Sequence, residues 1–245
     1  MDPLTIAAAS GLRSRMQSLD LLANNLANTG TSGYKRDQEF YNLFSSSEAS
    51  GEDGGAAATL PVIQRQWTDF SQGTLQVTGN QTDIALAGKG FFVVNGPSGP
   101  LYTRNGNLQV LPSGELAVAG NFALQNQSGG TIHVTSGKPI QIAADGSVQQ
   151  DGQPIGQLKV VNFQATEPLQ KVGNACFLNT DPKNAPVAAT SVEIHQGKIE
   201  ASNVPVAEAA MRLVGVMRQF EMLQKAIGIS TDMDTKSIQE VARVT

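Results

Sequence analysis

The run Leu12-Arg-Ser-Arg-Met16-Gln-Ser-Leu19-Asp-Leu-Leu-Ala23-Asn24-Asn25-Leu26-Ala27-Asn28-Thr29-Gly30-Thr31-Ser32-Gly33 decides the reading of the chain. With Ala9 it sets an apolar seam of Ala9, Leu12, Met16, Leu19, Ala23 and Leu26, which steps by three or four residues throughout and predicts a long amphipathic helix. Thr29-Gly-Thr-Ser-Gly33 ends the helix with turn chemistry. The far end mirrors this pattern. Ser202-Asn203 offers a cap, Pro205 suits a first turn, and Val206, Ala210, Leu213, Met217, Phe220, Gln224 and Ile227 repeat the spacing. Val216 and Leu223 widen that face, which predicts contact with more than one neighbour, and Ile238 and Val241 carry the helix on to Val244.

Between the ends the texture changes to short β-rich runs, such as Phe91-Phe-Val-Val94 and Leu158-Lys-Val-Val161. Asn95-Gly96, Asn105-Gly106, Ser113-Gly114, Asp145-Gly146 and Asp151-Gly152 punctuate them and predict hairpins. The expected fold is therefore mainly β: an antiparallel β domain flanked by long N- and C-terminal α-helices that pair as a coiled coil. The expected divisions are a helix and turn over 1–36, a flexible or extended connector over 37–80, the β domain over 81–199 and a second helix over 200–245. Residues 45–59 have almost no large apolar side chains and read as the flexible part of that connector.

Composition excludes several functions. Of 245 residues 16% are charged, and the net charge of −4 is spread without a basic block, which argues against nucleic acid as a partner. No apolar run approaches the roughly 20 residues that a membrane-spanning helix needs, so no lipid-embedded segment is expected. Arg13 and Arg15 follow the first apolar stretch instead of preceding it, so a cleaved secretory signal is not expected either. A single cysteine, Cys176, and two histidines, His133 and His195, leave little stock for nucleophilic or metal chemistry, and no catalytic residue, cofactor or metal is expected. Asp145 and Asp151 could face one another as general acid and base, but each precedes a glycine and reads first as a turn residue.

Small residues, Ala7, Ala8, Ala9 and Gly11 at one end, Gly215 and Gly228 at the other, interrupt the stripes. A helix glycine costs about 1 kcal/mol against alanine, so close helix approach is the natural explanation for keeping one. The termini are expected to pack fully only when many copies assemble, with Leu12, Met16, Leu19, Leu26, Val206, Leu213, Met217, Phe220 and Ile227 as packing positions. Asn24, Asn25, Asn28 and Asn203 are candidates for polar contacts that set register between subunits, or else for caps and turns.

The residues themselves match a family. Leu22-Ala-Asn-Asn-Leu-Ala-Asn-Thr29 with Ser32-Gly-Tyr-Lys-Arg36, Asp83-Ile-Ala-Leu-Ala-Gly-Lys-Gly-Phe-Phe-Val-Val94, Tyr102-Thr-Arg-Asn-Gly106 and Gly197-Lys-Ile-Glu-Ala-Ser-Asn-Val204 resemble, in order, the signatures of bacterial flagellar rod and hook proteins. The resemblance implies an axial subunit of the flagellar basal body. Such a subunit is exported unprocessed by the flagellar type III apparatus and assembles with copies of itself and other rod and hook-family proteins into a periplasm-spanning shaft around the export channel. Asp145-Gly-Ser-Val148 and the tail 238–244 look more like a proximal than a distal rod protein. Distal rod and hook types, a secreted β-domain adhesin and a carboxylate hydrolase are the alternatives.

Overall fold

The computed structural model describes residues 3–45 and 59–244. Two helices bracket the chain, α1 over Pro3–Ala27 and α2 over Val206–Val244. The strands are, in chain order, β1 (Asp37–Ser45), β2 (Thr59–Thr68), β3 (Leu75–Val77), β4 (Ile84–Gly88), β5 (Phe91–Gly96) and β6 (Gly99–Thr103). There follow β7 (Gln109–Val110), β8 (Leu116–Val118), β9 (Phe122–Ala123), β10 (Ile140–Ile142), β11 (Ser147–Gln150) and β12 (Gln153–Gln157). The last are β13 (Val160–Asn162), β14 (Leu169–Gly173), β15 (Cys176–Asn179), β16 (Val187–Ala188), β17 (Val192–Gln196) and β18 (Lys198–Glu200). The fold is thus mainly antiparallel β with a helix at each end.

Two compact units divide the chain. One comprises the helices with residues 37–67; the other comprises 28–36 and 68–204. The stretch read from sequence as a connector contains β1 and β2, which pair as a two-stranded sheet. The expectation of flexibility over 45–59 falls almost wholly on 46–58, outside the described residues.

In the helical unit, α1 and α2 pack against each other, and the most buried positions of α1 are ones that the apolar seam does not mark. Among the α1 side chains described, from Ala9 on, the buried positions are Gly11, Ser14, Ser18, Leu22 and Asn25, whereas Leu12, Leu19 and Leu26 are half-buried and Met16 is 52% exposed. At Gly11 the reason is size: an added Cβ would already lie 3.5 Å from Leu223 Cδ1, so the glycine gives α2 room to approach. The Ser18 hydroxyl meets its own polar requirement by donating to the Ser14 carbonyl at 3.1 Å. Among the described α2 side chains the large half-buried ones are Leu213, Val216, Phe220, Leu223 and Ile227, in a 3,4 repeat, while Val206 and Met217 are exposed.

The β unit is organised by β5, the fourth strand of a six-stranded sheet ordered β14-β15-β6-β5-β13-β16. All of Phe91 to Val94 are buried, as expected for a strand covered on both faces. Successive side chains point to opposite sides, so Phe92 and Val94 enter an aliphatic core with Ile84, Leu116, Leu124 and Leu158. Phe91 and Val93 enter an aromatic core with Tyr102, Phe163, Leu169 and Phe177. Tyr102 and Phe163 meet edge to face, 4.7 Å between centroids. The Asp151-Gly152 hairpin forms as expected, with φ of 52° and 75° between β11 and β12, the signs a type I′ turn requires. A second such turn, Asn174-Ala175, joins β14 to β15 without any glycine at its two centres.

Candidate functional site: a buried ion triad in the β unit

Ser32-Gly33-Tyr34-Lys35-Arg36, which follows α1 in sequence, and Gly197 to Val204, which precedes α2, meet on the β unit. Gly33 donates its backbone N–H to the Glu200 carbonyl at 2.7 Å. β18 pairs with β3, which fixes Glu200 opposite Leu75. Asn203 completes the closure by accepting the Arg36 N–H at its Oδ1 (2.7 Å) and donating its Nδ2 to the Asp69 carbonyl (2.8 Å). Arg36 in turn pairs with Asp69 at 3.0 Å.

At the centre lie three charges that are almost wholly removed from water. Lys35 and Glu200 are fully buried and Arg104 is 4% exposed. Lys35 Nζ donates to Glu200 Oε1 at 2.5 Å and to the Ser71 carbonyl at 2.7 Å. Arg104 Nη1 donates to Glu200 Oε2 at 3.2 Å and Nη2 to the Gly88 carbonyl at 2.7 Å. Glu200 Oε1 also accepts the Gly73 N–H at 2.9 Å. Burial pushes the Lys35 ammonium below its ordinary value and Glu200 pulls it part of the way back; the same two causes act on Arg104. Tyr34 is buried beside the triad segment and carries Lys171 Nζ 4.1 Å above its ring. A buried carboxylate hydrogen-bonded to two buried cations is a structural joint: it fixes residues 35, 104 and 200 relative to one another at a desolvation cost that only close geometry offsets.

None of the triad stood out as a site from spacing alone. Lys35, Arg104 and Glu200 each lie in a block that carries the family resemblance, but nothing linear joins positions 35, 104 and 200. The amides that did stand out have local work. Asn25 accepts the Asp37 N–H at 2.9 Å and donates to the Asp37 carbonyl at 2.8 Å, so it seats β1 beside α1. Asn28 accepts the Thr31 hydroxyl in the turn after the helix. Asn24 is exposed on α1. Asp145 accepts the Ser147 N–H and hydroxyl within its own turn, and Asp151 pairs with Lys138, so both aspartates serve turn structure. His133 contacts Thr131 and Glu115 at the surface, and His195 sits on β17.

Residues 85–152 match the model of the flagellar hook protein FlgE/F/G D1 domain, and 195–240 match that of the flagellar basal body rod FlgEFG protein C-terminal region. The chain is 31% identical over 243 residues to the flagellar basal-body rod protein FlgF of Salmonella typhimurium, covering 93% of each. The chain belongs to the flagellar basal-body rod protein family. It is also 27% identical to FlgF of Caulobacter vibrioides over the whole of both chains, and 29% identical to the rod protein FlgG of Buchnera aphidicola from Acyrthosiphon pisum over 98% of this chain and all of that one. It is a structural subunit of the flagellar basal-body rod, in a family that is not enzymatic. Arg104 falls inside the first matched region and Glu200 inside the second, so the triad ties the rod subunit's two family segments together.

Proposed function

We propose that this rod subunit assembles helically with copies of itself and with other axial proteins through its terminal helices, so that the shaft transmits torque and walls the export channel. The observation that carries this reading is the apolar surface α2 leaves open: Met211, Val214, Met217, Met222, Ile229 and Met233 are all exposed. Large apolar side chains left exposed along a helix are not satisfied by the monomer, and they support a role in association. Leu12, Met16, Leu19 and Leu26 on α1 and Val206, Leu213, Phe220 and Ile227 on α2 supply the remaining packing positions, with Asn24, exposed on α1, as a polar contact that sets register. In this reading the helices pair as a coiled coil, the 3,4 repeat on α2 being the seam.

The full-length similarity to FlgF sequences favours the proximal rod position over the distal one. Export through the flagellar type III apparatus without a cleaved signal follows from the same family reading. Met217→Asp tests it: the charge would have to be buried in a dry interface. The variant should be exported but missing from purified basal bodies, with loss of swimming; normal motility would refute the proposal.

A further inference from the structure

We propose that the cleft of about 360 Å³ lined by Phe70, Lys89, Phe91, Arg104, Phe163 and Gln164 binds a carboxylate carried on a short apolar stem. The triad is electrostatically incomplete. Glu200 provides one negative charge for the two positive charges of Lys35 and Arg104, which leaves one positive charge in excess at a site closed to water. The guanidinium is also incompletely bonded: Nη1 and Nη2 have partners, but the buried Nε has none. An unpartnered buried donor costs about 1–3 kcal/mol, more when charged, so the surplus charge on Arg104 is poorly compensated from within the protein.

Arg104 lines the cleft together with Phe91. Its lining residues include no aspartate or glutamate, and a second cation, Lys89, stands exposed on it. Phe70, Phe91 and Phe163 form apolar walls that strengthen any charge interaction between them and would cover a methylene or aromatic stem. Arg104 Cζ lies 5.4 Å over the Phe91 centroid, within cation–π range of one of these walls. A monoanion matches the single surplus charge. The ligand class is thus a carboxylate, either an acidic side chain of a neighbouring subunit or a small free acid.

Benzoate and its neutral isostere benzamide, titrated into the full chain and followed by amide shifts of Gly90, Phe91 and Gln164, test the proposal. Benzoate should give saturable shifts, benzamide should bind about tenfold more weakly, and Lys89→Met should weaken benzoate without moving the unfolding midpoint. Shifts that do not saturate, or that benzamide reproduces equally, would overturn it. The source of the acid is read separately by sedimentation of self-associated chain, an arm that rests on the rod-assembly reading. Inhibition by benzoate would identify a neighbouring subunit's side chain as the occupant, and no inhibition a free acid. Because binding is measured on the monomer, its failure would be distinct from a failure of assembly.

Discussion

Lys35 Nζ and Glu200 Oε1 lie 2.5 Å apart across 165 residues of sequence, with both side chains fully out of contact with water. Removing the acid leaves two buried cations facing each other, whereas removing the lysine leaves Glu200 still paired with Arg104. Glu200→Leu should therefore cost the β unit about 3–5 kcal/mol, and Lys35→Met clearly less. Urea unfolding followed by near-ultraviolet circular dichroism of the aromatic core measures both. Equal costs would mean that the triad is not the joint described.

Gly33 and Gly79 have nearly the same backbone conformation, φ of 70° and 72°, yet different surroundings. A Cβ at Gly33 would stand 2.3 Å from the Arg104 carbonyl carbon and the Asn105 nitrogen, while at Gly79 it would meet nothing within 4 Å. Gly79→Ala should cost only the left-handed penalty of about 1–2 kcal/mol. Gly33→Ala must in addition displace backbone beside Arg104, and should fail to give a folded β unit at the same temperature. Comparable melting temperatures for the two variants would contradict this.

What the sequence disclosed and what it hid follow from the range of the interactions. Helix periodicity and the Asp151-Gly152 turn are local, and both are found in place. The Asn174-Ala175 turn escaped notice because its positive φ values are held by an asparagine and an alanine, not by the glycine that signals such turns. The buried positions of α1 were hidden for a different reason: Gly11, Ser14 and Ser18 are buried but small, and a search for large apolar residues passes over them. The triad lay beyond reach altogether, since only the closure of β18 on β3 brings Glu200 to Lys35.

Acid should loosen the β unit partly through Asp69. Burial alone would raise this carboxyl, but hydrogen bonds from the Ser71 backbone and hydroxyl, then Arg36, outweigh it and hold it below its ordinary value of about 3.9. As pH falls below that value the unfolded chain takes up the proton first. The stabilisation is therefore complete above about pH 3.9 and is lost as pH falls through the folded value. Asp69→Asn removes this contribution, so its stability should fall less steeply than the parent's on the acid limb. Parallel slopes below pH 4 in chemical denaturation would exclude the effect.

The two faces of the helices should separate stability from assembly. Met222 is 62% exposed and makes no demand on the monomer, so Met222→Asp should change monomer stability by less than about 0.5 kcal/mol. Gly11 sits against Leu223, and Gly11→Leu would force a large side chain into a gap that accepts only a Cβ at contact distance. It should cost about 1–3 kcal/mol and lower the helical signal of the monomer at 222 nm. In cells the Met222→Asp subunit should be made and folded but absent from the rod, because in the proposed assembly the exposed apolar side chains of α2 meet neighbouring subunits. A Met222→Asp subunit that incorporates normally, alongside a Gly11→Leu subunit of unchanged helicity, would reverse the assignment of the two faces.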